Sequence, residues 1–369
     1  MELDAREALI TLNLIPGLGS VRIQSMLEFF GSAELALAAP VQTLTQVPRL
    51  GEKLARAVAD WRHCTAVHAE LEYAERLGVR VVTFLDDEYP NALRRMSDPP
   101  IVLYVRGNWR QEDAEHAVSV VGTRVATPYG IGCARRFSRE LSESGCTIIS
   151  GLARGIDTAA HWGALDAGGR TIAVLGGGLA QLFPAENAEL AERIIAGHGA
   201  IVSEFPMNMR PSRNSFPQRN RVVAAWSKAT LVVEASSRSG ALHTAGLSAE
   251  QYGNHVFAIP GAITGTASIG CHQLIRDGAI LCTSPHELMS DMGWNNPPRQ
   301  LDLFADSPSC AASAGDPIIA AIAAGHCTLD ALCSALGLPA YELTPQLMRL
   351  QIERKILPRP GGSYSLPLT

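Results

Sequence analysis

The chain has 369 residues, 47% of them hydrophobic and 18% charged, which suits a globular protein with at least one sizeable core and excludes a disordered or fibrous one. The formal net charge is −5, so any affinity for nucleic acid must come from local clusters of cations and not from a global basic character. The eight cysteines, at 64, 133, 146, 271, 282, 310, 327 and 333, form no C-x-x-C pair and no close Cys/His set at zinc spacing, so neither a metal nor a disulfide framework is expected. The N-terminus lacks the basic start and apolar stretch of a secretory signal, and no apolar run approaches the ~20 residues needed to span a bilayer. A cytoplasmic protein without membrane insertion is the expectation.

Residues 1–78 read as short helices. Two segments there echo each other: Ile15-Pro-Gly-Leu-Gly19 before VRIQSMLEFFG, and Val47-Pro-Arg-Leu-Gly51 before EKLARAVADW. An apolar-Pro-x-Leu-Gly turn opening an amphipathic helix, seen twice, resembles the helix-hairpin-helix and SAM-like family, in which the turn brings helix N-terminal amides to a backbone phosphate. Arg49 stands in the second copy where the first has Gly17. The plainer reading, a small helical bundle whose glycines only cap helices, is preferred.

Residues 79–292 alternate. Apolar, β-branched runs of strand length occur at 80–84, 101–105, 118–122, 147–150, 171–176, 200–204, 230–235, 255–261 and 279–282. Helical stretches such as PYGIGCARRFSRELSESG and ALHTAGLSAEQYG lie between most of them. Continuous apolar strands interleaved with amphipathic helices mean strands buried on both faces, hence an α/β fold with a doubly wound, Rossmann-like, mostly parallel sheet. Residues 293–314, rich in Pro, Ser, Ala and Asn, read as a linker. Residues 315–369 offer three short helical stretches and a Gly-Gly turn, the outline of a winged helix. The third stretch, with Arg349 beside Glu342 and Glu353, is not strongly basic and suits a protein-contacting wing at least as well as a DNA-reading one.

Ligands of open α/β sheets bind at the carboxyl ends of strands. Four such ends here deliver glycines or small hydroxyl residues: Gly122-Thr123-Arg124, Gly151 to Gly155 with Arg154, Gly176-Gly177-Gly178, and Ser236 to Gly240 with Arg238 and Ser239. Glycine lets a backbone N–H approach an oxyanion, and arginine adds a charged fork. One such loop would mean only a tight turn, but four at one sheet edge point to a phosphate-bearing ligand. Residues 205–228 then carry Arg210, Arg213, Arg219, Arg221 and Lys228 without one acidic residue, and with Phe216 and Trp226 interleaved. That exceeds what a mononucleotide requires and suits a single-strand track with a stacking surface. Trp226 is expected in the core, and some of the arginines have a competing reading as partners of Glu204 or Glu234. Arg219 and Arg221, flanking Asn220, are the foremost candidates for phosphate contact.

VGTRVATPYG, SGLARGIDTAAHWGAL, AVLGGGL with FPAEN, SEFP, FPQRNRVVAAWS, EASSRSGALHTAGLSAEQYG and VFAIPG, in this order, resemble the DNA-processing protein A (DprA/Smf) family. The resemblance implies a non-catalytic protein of natural transformation that binds incoming single-stranded DNA as a homodimer and loads RecA recombinase onto it. Contacts to DNA carry over to Arg124, to the Gly151–Gly155 loop and to Arg219 and Arg221, with Arg213 as a further basic contact. Ala185 follows Phe183-Pro184 where relatives can have lysine, so one contact is expected to be missing. In the linker, Gln300, Leu301, Leu303 and Phe304 resemble the short peptide that docks in the bacterial sliding clamp. The competing reading is a staple onto the chain's own α/β domain.

Asp157, His161, Glu204 and Glu234 are the residues near these loops capable of acid–base chemistry. A nucleotide hydrolase of the lysine-decarboxylase-like (phosphoribohydrolase) group is the alternative function, but its PGGxGTxxE signature meets SSRSGALHTAG here, with Gly246 where a catalytic Glu would stand. Asp157 and His161 are read instead as fasteners of the helix beneath the loop. A dinucleotide site is disfavoured, since Gln181 occupies the third glycine position after Gly176.

Overall fold

The computed structural model describes residues 3–294, 317–323, 326, 328–338, 340–352, 355–359 and 363–365. The chain divides into two compact units with the boundary at residue 296.

In the first unit nine strands form one sheet: β1 (Arg80–Thr83), β2 (Val102–Gly107), β3 (Ala117–Val121), β4 (Thr147–Ser150), β5 (Thr171–Val174), β6 (Gly199–Ser203), β7 (Ala229–Val232), β8 (His255–Ala258) and β9 (Ile280–Leu281). Each falls on one of the apolar runs read from the sequence. Their order is β1-β2-β6-β5-β4-β3-β7-β8-β9. β2 runs antiparallel to both β1 and β6, and every other pairing is parallel. From β3 the chain winds outward through β4, β5 and β6, then returns to pair β7 against the free side of β3, with Val121 opposite Val232. Strand order therefore reverses between β3 and β7, which opens a crevice at their carboxyl ends.

Burial on both faces explains the unbroken apolar strands. Val118 and Val120 point into one core, with Phe137 and Leu141, while Ala117 and Val121 point into the other, with Val222, Val223 and Trp226. The helices concerned are α1 (Ala5–Leu14), α2 (Ser20–Phe30), α3 (Ala33–Ala38), α4 (Val41–Leu44), α5 (Glu52–Ala59), α6 (Trp61–Cys64), α7 (Val67–Arg76), α8 (Asn91–Arg94), α9 (Pro128–Glu143), α10 (Ile156–Asp166), α11 (Ala188–Arg193), α12 (Ser215–Trp226), α13 (Gly240–Gly246), α14 (Ile269–Arg276) and α15 (Pro285–Asp291). Trp226 is buried and packs edge-on against Trp109 at 5.8 Å. The first seven helices share a core with the sheet: Ile10, Leu12, Ile23 and Met26 cluster with Tyr104, Ile201 and Met207. Glu70 of α7 accepts a 2.7 Å hydrogen bond from the Met207 amide. Among the described residues no helix is long and apolar enough to cross a membrane.

In the second unit α16 (Pro317–Ala323), α17 (Leu329–Leu336) and α18 (Ala340–Ile352) precede a hairpin of β10 (Leu357–Arg359) and β11 (Ser363–Ser365). Ile318, Ile322, Leu332, Leu343, Leu347 and Ile356 form its core, and Thr328 bridges to Ser363. Three helices followed by a β-wing make a winged helix, as the sequence indicated.

A candidate nucleic-acid crevice

The crevice between β3 and β7 is a cavity of about 590 Å³. Gly122 leaves β3 so close to its neighbours that a Cβ there would lie 2.5 Å from Ile156 Cγ1 and 2.9 Å from the Glu234 carbonyl oxygen. Only glycine lets these chains meet. The Thr123 amide donates to the Glu234 carbonyl at 2.7 Å, and the backbone N–H and hydroxyl of Thr127, the N-cap of α9, donate to the Glu234 carboxylate at 2.9 and 2.5 Å. Glu234 is thereby committed to joining the two loops.

The loop after β4 is held from below. Asp157, buried at the start of α10, accepts from the Gly151 and Ala153 amides at 3.1 and 3.4 Å. Arg219 of α12 runs under the same loop and donates to the carbonyls of Gly151, at 2.6 Å, and Val174. Burial pushes the pKa of Arg219 down to about 10, with Asp157 pulling the other way. Burial raises that of Asp157, opposed by Arg219 and the loop amides. His161 lies one turn on, wholly buried, with Nδ1 2.6 Å from the Thr171 hydroxyl. Its pKa is lowered to about 3 by burial and by the Arg219 charge. Both residues are thus placed as fasteners of α10.

Above this floor the crevice shows a different character. Arg124 is exposed, its Cζ 4.5 Å from the centroid of the Phe216 ring. Phe183, 52% exposed, stands 6.4 Å beyond Phe216. Arg213 and Asn220 complete this wall, and Ser239 and Gly240 face it, with Ser239 capping α13 through the Ala241 amide at 3.3 Å. Asp157 is the one carboxylate among the lining residues. Arg238 is exposed on the adjoining loop. His243, which the sequence did not single out, also lines the crevice, brought there by the first turn of α13.

Several expected contacts fall elsewhere. Residues 219 and 221 are about 200° apart around a helix, so Arg221 leaves the opposite side of α12. It donates to the Asp98 carbonyl at 2.6 Å and to the Glu204 carboxylate, and it lines a second cavity, not the crevice. The convergence of Arg124, Arg219 and Arg221 expected from sequence is therefore corrected: Arg124 alone of the three is an exposed cation of the crevice. Arg154 forms a forked pair with Glu186, both bonds 2.7 Å. Gly176 and Gly177 are buried under the segment after β6, where a Cβ would come within 2.9 Å of the Phe216 ring and 2.7 Å of Pro211, so they serve packing and do not rim an anion site. Lys228 lies at the start of β7, at the opposite sheet edge. Gln300, Leu301, Leu303 and Phe304 lie outside the described residues.

The α/β sheet reverses its strand order at a crevice lined by arginine and aromatic groups, and a winged helix follows it in the chain. The family model described as DNA recombination-mediator protein A matches residues 80–293, and that of the DprA winged helix domain matches residues 304–362. The chain is 36% identical to protein Smf of Escherichia coli over 315 residues, covering 82% of this chain and 81% of that one. It is 40% identical to the putative DNA processing protein DprA of Mycobacterium tuberculosis over 268 residues, 69% of this chain and 68% of the relative. The crystal structure of DNA processing protein A from Streptococcus pneumoniae superposes with a TM-score of 0.67 at 32% identity, covering 79% of this chain and 99% of that one. A Helicobacter pylori DNA processing protein A, described for its single-stranded DNA binding mode, superposes with a TM-score of 0.51 at 28% identity over 58% of this chain and 95% of that one. The chain belongs to the DprA/Smf family.

Proposed function

We propose that this chain binds single-stranded DNA along the crevice between β3 and β7 and hands it to RecA recombinase during natural transformation, working as a cytoplasmic homodimer without chemistry of its own. The observation that carries the DNA reading is the Arg124 guanidinium laid over the half-buried Phe216 ring at 4.5 Å, in a cavity whose one carboxylate is already held by loop amides. A fixed cation beside an aromatic face is what a phosphate–base–phosphate chain needs, and it is indifferent to sequence because every base has a π-face. The single-strand binding named for the Helicobacter relative supports the same reading. RecA and the second copy are implied by family membership.

The absence of chemistry is supported by the carboxylates. Asp157 is bound to loop amides, Glu234 to Thr127, and Glu204 to Arg221 in a different cavity, so no acid–base pair of these faces the crevice. A mobility shift with single- and double-stranded oligonucleotides of roughly 20 bases across a salt series tests the DNA reading. Micromolar or tighter, salt-sensitive preference for the single strand is expected, and equal affinity for both forms refutes it. Release of base or phosphate from a nucleotide, lost in Glu204→Ala or Asp157→Ala, would establish the hydrolase instead. For the linker motif we propose sliding-clamp docking through Gln300, Leu301, Leu303 and Phe304. A peptide of residues 298–306 that fails to saturate purified clamp eliminates it.

A further inference from the structure

Helix α13 divides its residues between two environments. Ala241, Ala245 and, farther along, Ser248 are buried, and the two alanines share a core with Val222 and Val223 of α12 and Val232 of β7. A helical repeat of about 3.6 residues turns positions 240 and 243 away from that stripe and onto one face. Gly240 and His243 are accordingly exposed, and both line the crevice. A Cβ on Gly240 would meet nothing within 4 Å, so the space beside the imidazole is open. Among the described residues the His243 ring has no hydrogen-bond or ion-pair partner. Neither packing nor hydrogen bonding within the first unit accounts for a histidine at this place.

The charges around the ring are unevenly matched. Arg124 faces it from the loop after β3, and Arg213 and the buried Arg219 face it from α12 and the residues just before that helix. Arg238 adjoins it on its own loop. Asp157, at the start of α10, is held by the Gly151 and Ala153 amides. Glu234, just beyond β7, is held by the N–H and hydroxyl of Thr127. Glu250 is exposed about two turns farther along the chain from His243. The two carboxylates at the crevice thus already have their donors, and the anion that a charged His243 would meet there is a ligand's.

We propose that His243 is a phosphate contact of the crevice and makes that contact as an imidazolium, so that binding of single-stranded DNA takes up a proton. This rests on the DNA reading above and adds a dependence on pH to it. Histidine is the side chain whose charge ordinarily changes between about pH 5 and pH 8. The neutral ring offers one N–H, whereas the imidazolium offers two and a full charge. A phosphodiester favours the charged form, so the contribution of His243 to affinity is greatest at the acid end of that interval and is lost as pH rises through it. At the alkaline end Arg124, Arg213 and Arg238 hold the strand; at the acid end a fourth cation joins them.

Fluorescence anisotropy of the full chain with a thymidine oligonucleotide of about 20 bases, at about pH 5.5 and about pH 8, tests the proposal, since neither thymine nor the phosphodiester titrates between them. Affinity is expected to be about tenfold higher at the lower pH, with the log–log salt slope steeper by about 0.7, the mark of one more phosphate contact. Acid destabilisation through the buried His161 would lower affinity and so has the opposite sign. His243→Gln abolishes both differences. His243→Arg, a cation at either pH, abolishes them too and binds at the higher pH about as tightly as the wild type does at the lower. Equal wild-type affinity at the two pH values, or a gain in acid that survives in His243→Gln, overturns the proposal and leaves the DNA reading standing. Absence of single-strand binding at both pH values overturns the two together.

Discussion

Replacing Arg124 and Arg219 separately by alanine should give two different phenotypes, although the sequence offers both as contacts to DNA. Arg124 is exposed, with its guanidinium over the Phe216 ring. Its loss removes one phosphate contact, a charge-assisted interaction of ~1.5–3 kcal/mol at best and less at an exposed site. The ring contact, ~0.5–1 kcal/mol, exists in the free protein too and largely cancels. A fall in single-strand affinity of about tenfold follows, with the log–log salt slope shallower by about 0.7 and the melting temperature unchanged. Arg219 is 5% exposed. Its loss strips donors from the Gly151 and Val174 carbonyls and the nearby positive charge from Asp157. Breaking such a buried ionic arrangement costs ~3–5 kcal/mol, or roughly 10 °C of melting temperature in a domain of this size. DNA binding would suffer only as the loop after β4 loosens. Fluorescence anisotropy at several salt concentrations, paired with thermal melts, distinguishes the cases. If Arg219→Ala lowers affinity at constant melting temperature while Arg124→Ala changes neither affinity nor slope, the assignment of floor and rim is wrong.

Phe216→Ala should weaken single-strand binding by tenfold or more, since base stacking on an aromatic is worth ~1–3 kcal/mol, while leaving the salt slope at its wild-type value. Anisotropy across salt reads both. Gly155→Ala should lower the melting temperature and weaken DNA binding together. Gly155 has φ +78°, and an added Cβ would sit 2.4 Å from the Thr123 carbonyl oxygen, forcing the two loops apart. His161, with its pKa near 3 in the fold against an ordinary 6.5, makes stability pH-dependent. Below pH 6.5 the unfolded chain takes up a proton that the folded one refuses, so its contribution is intact above that pH and is lost by ~1.4 kcal/mol per unit down to about pH 3. Urea midpoints at pH 7 and pH 4 should converge for His161→Leu relative to wild type; parallel pH trends in the two proteins would rule this out.

Much of the molecule was legible in the sequence because it depends on local rules. Nine β-branched apolar runs became nine strands, since a strand buried on both faces admits little else. The crevice could be located because loops at parallel strand ends share one edge. What escaped is set by distant partners. Glu204 is a competing partner that the sequence offers for the arginines after it, and it takes Arg221, but nothing in the sequence points to Asp98, 123 residues away along the chain, and the run of cations does not reveal which side of α12 meets these carboxylates. Gly176 and Gly177 looked like amide rims, but the segment after β6 folds back over them, its Met209 carbonyl accepting from the Gly178 amide at 2.8 Å. Arg49 breaks the glycine pattern of the first turn yet keeps its left-handed geometry, so the echo at 47–51 is structural as well as textual.

The net charge of −5 and the small number of exposed cations at the crevice together limit what one chain can do. Arg124, Arg213 and Arg238 are the exposed arginines on its wall and adjoining loop. Three phosphate contacts give a single-strand salt slope of about −2, which is shallow for a protein that must hold DNA at physiological salt. A second copy on the same strand would double the slope to about −4 and raise avidity by making the second contact intramolecular. Oligonucleotides long enough for one crevice should therefore show the smaller slope and longer ones the larger, with the transition accompanied by a doubling of protein mass per strand in sedimentation. A slope near −4 on the shortest strand that binds would mean that further cations of the same chain reach the DNA, and the account of a crevice with three cations at its rim would fail.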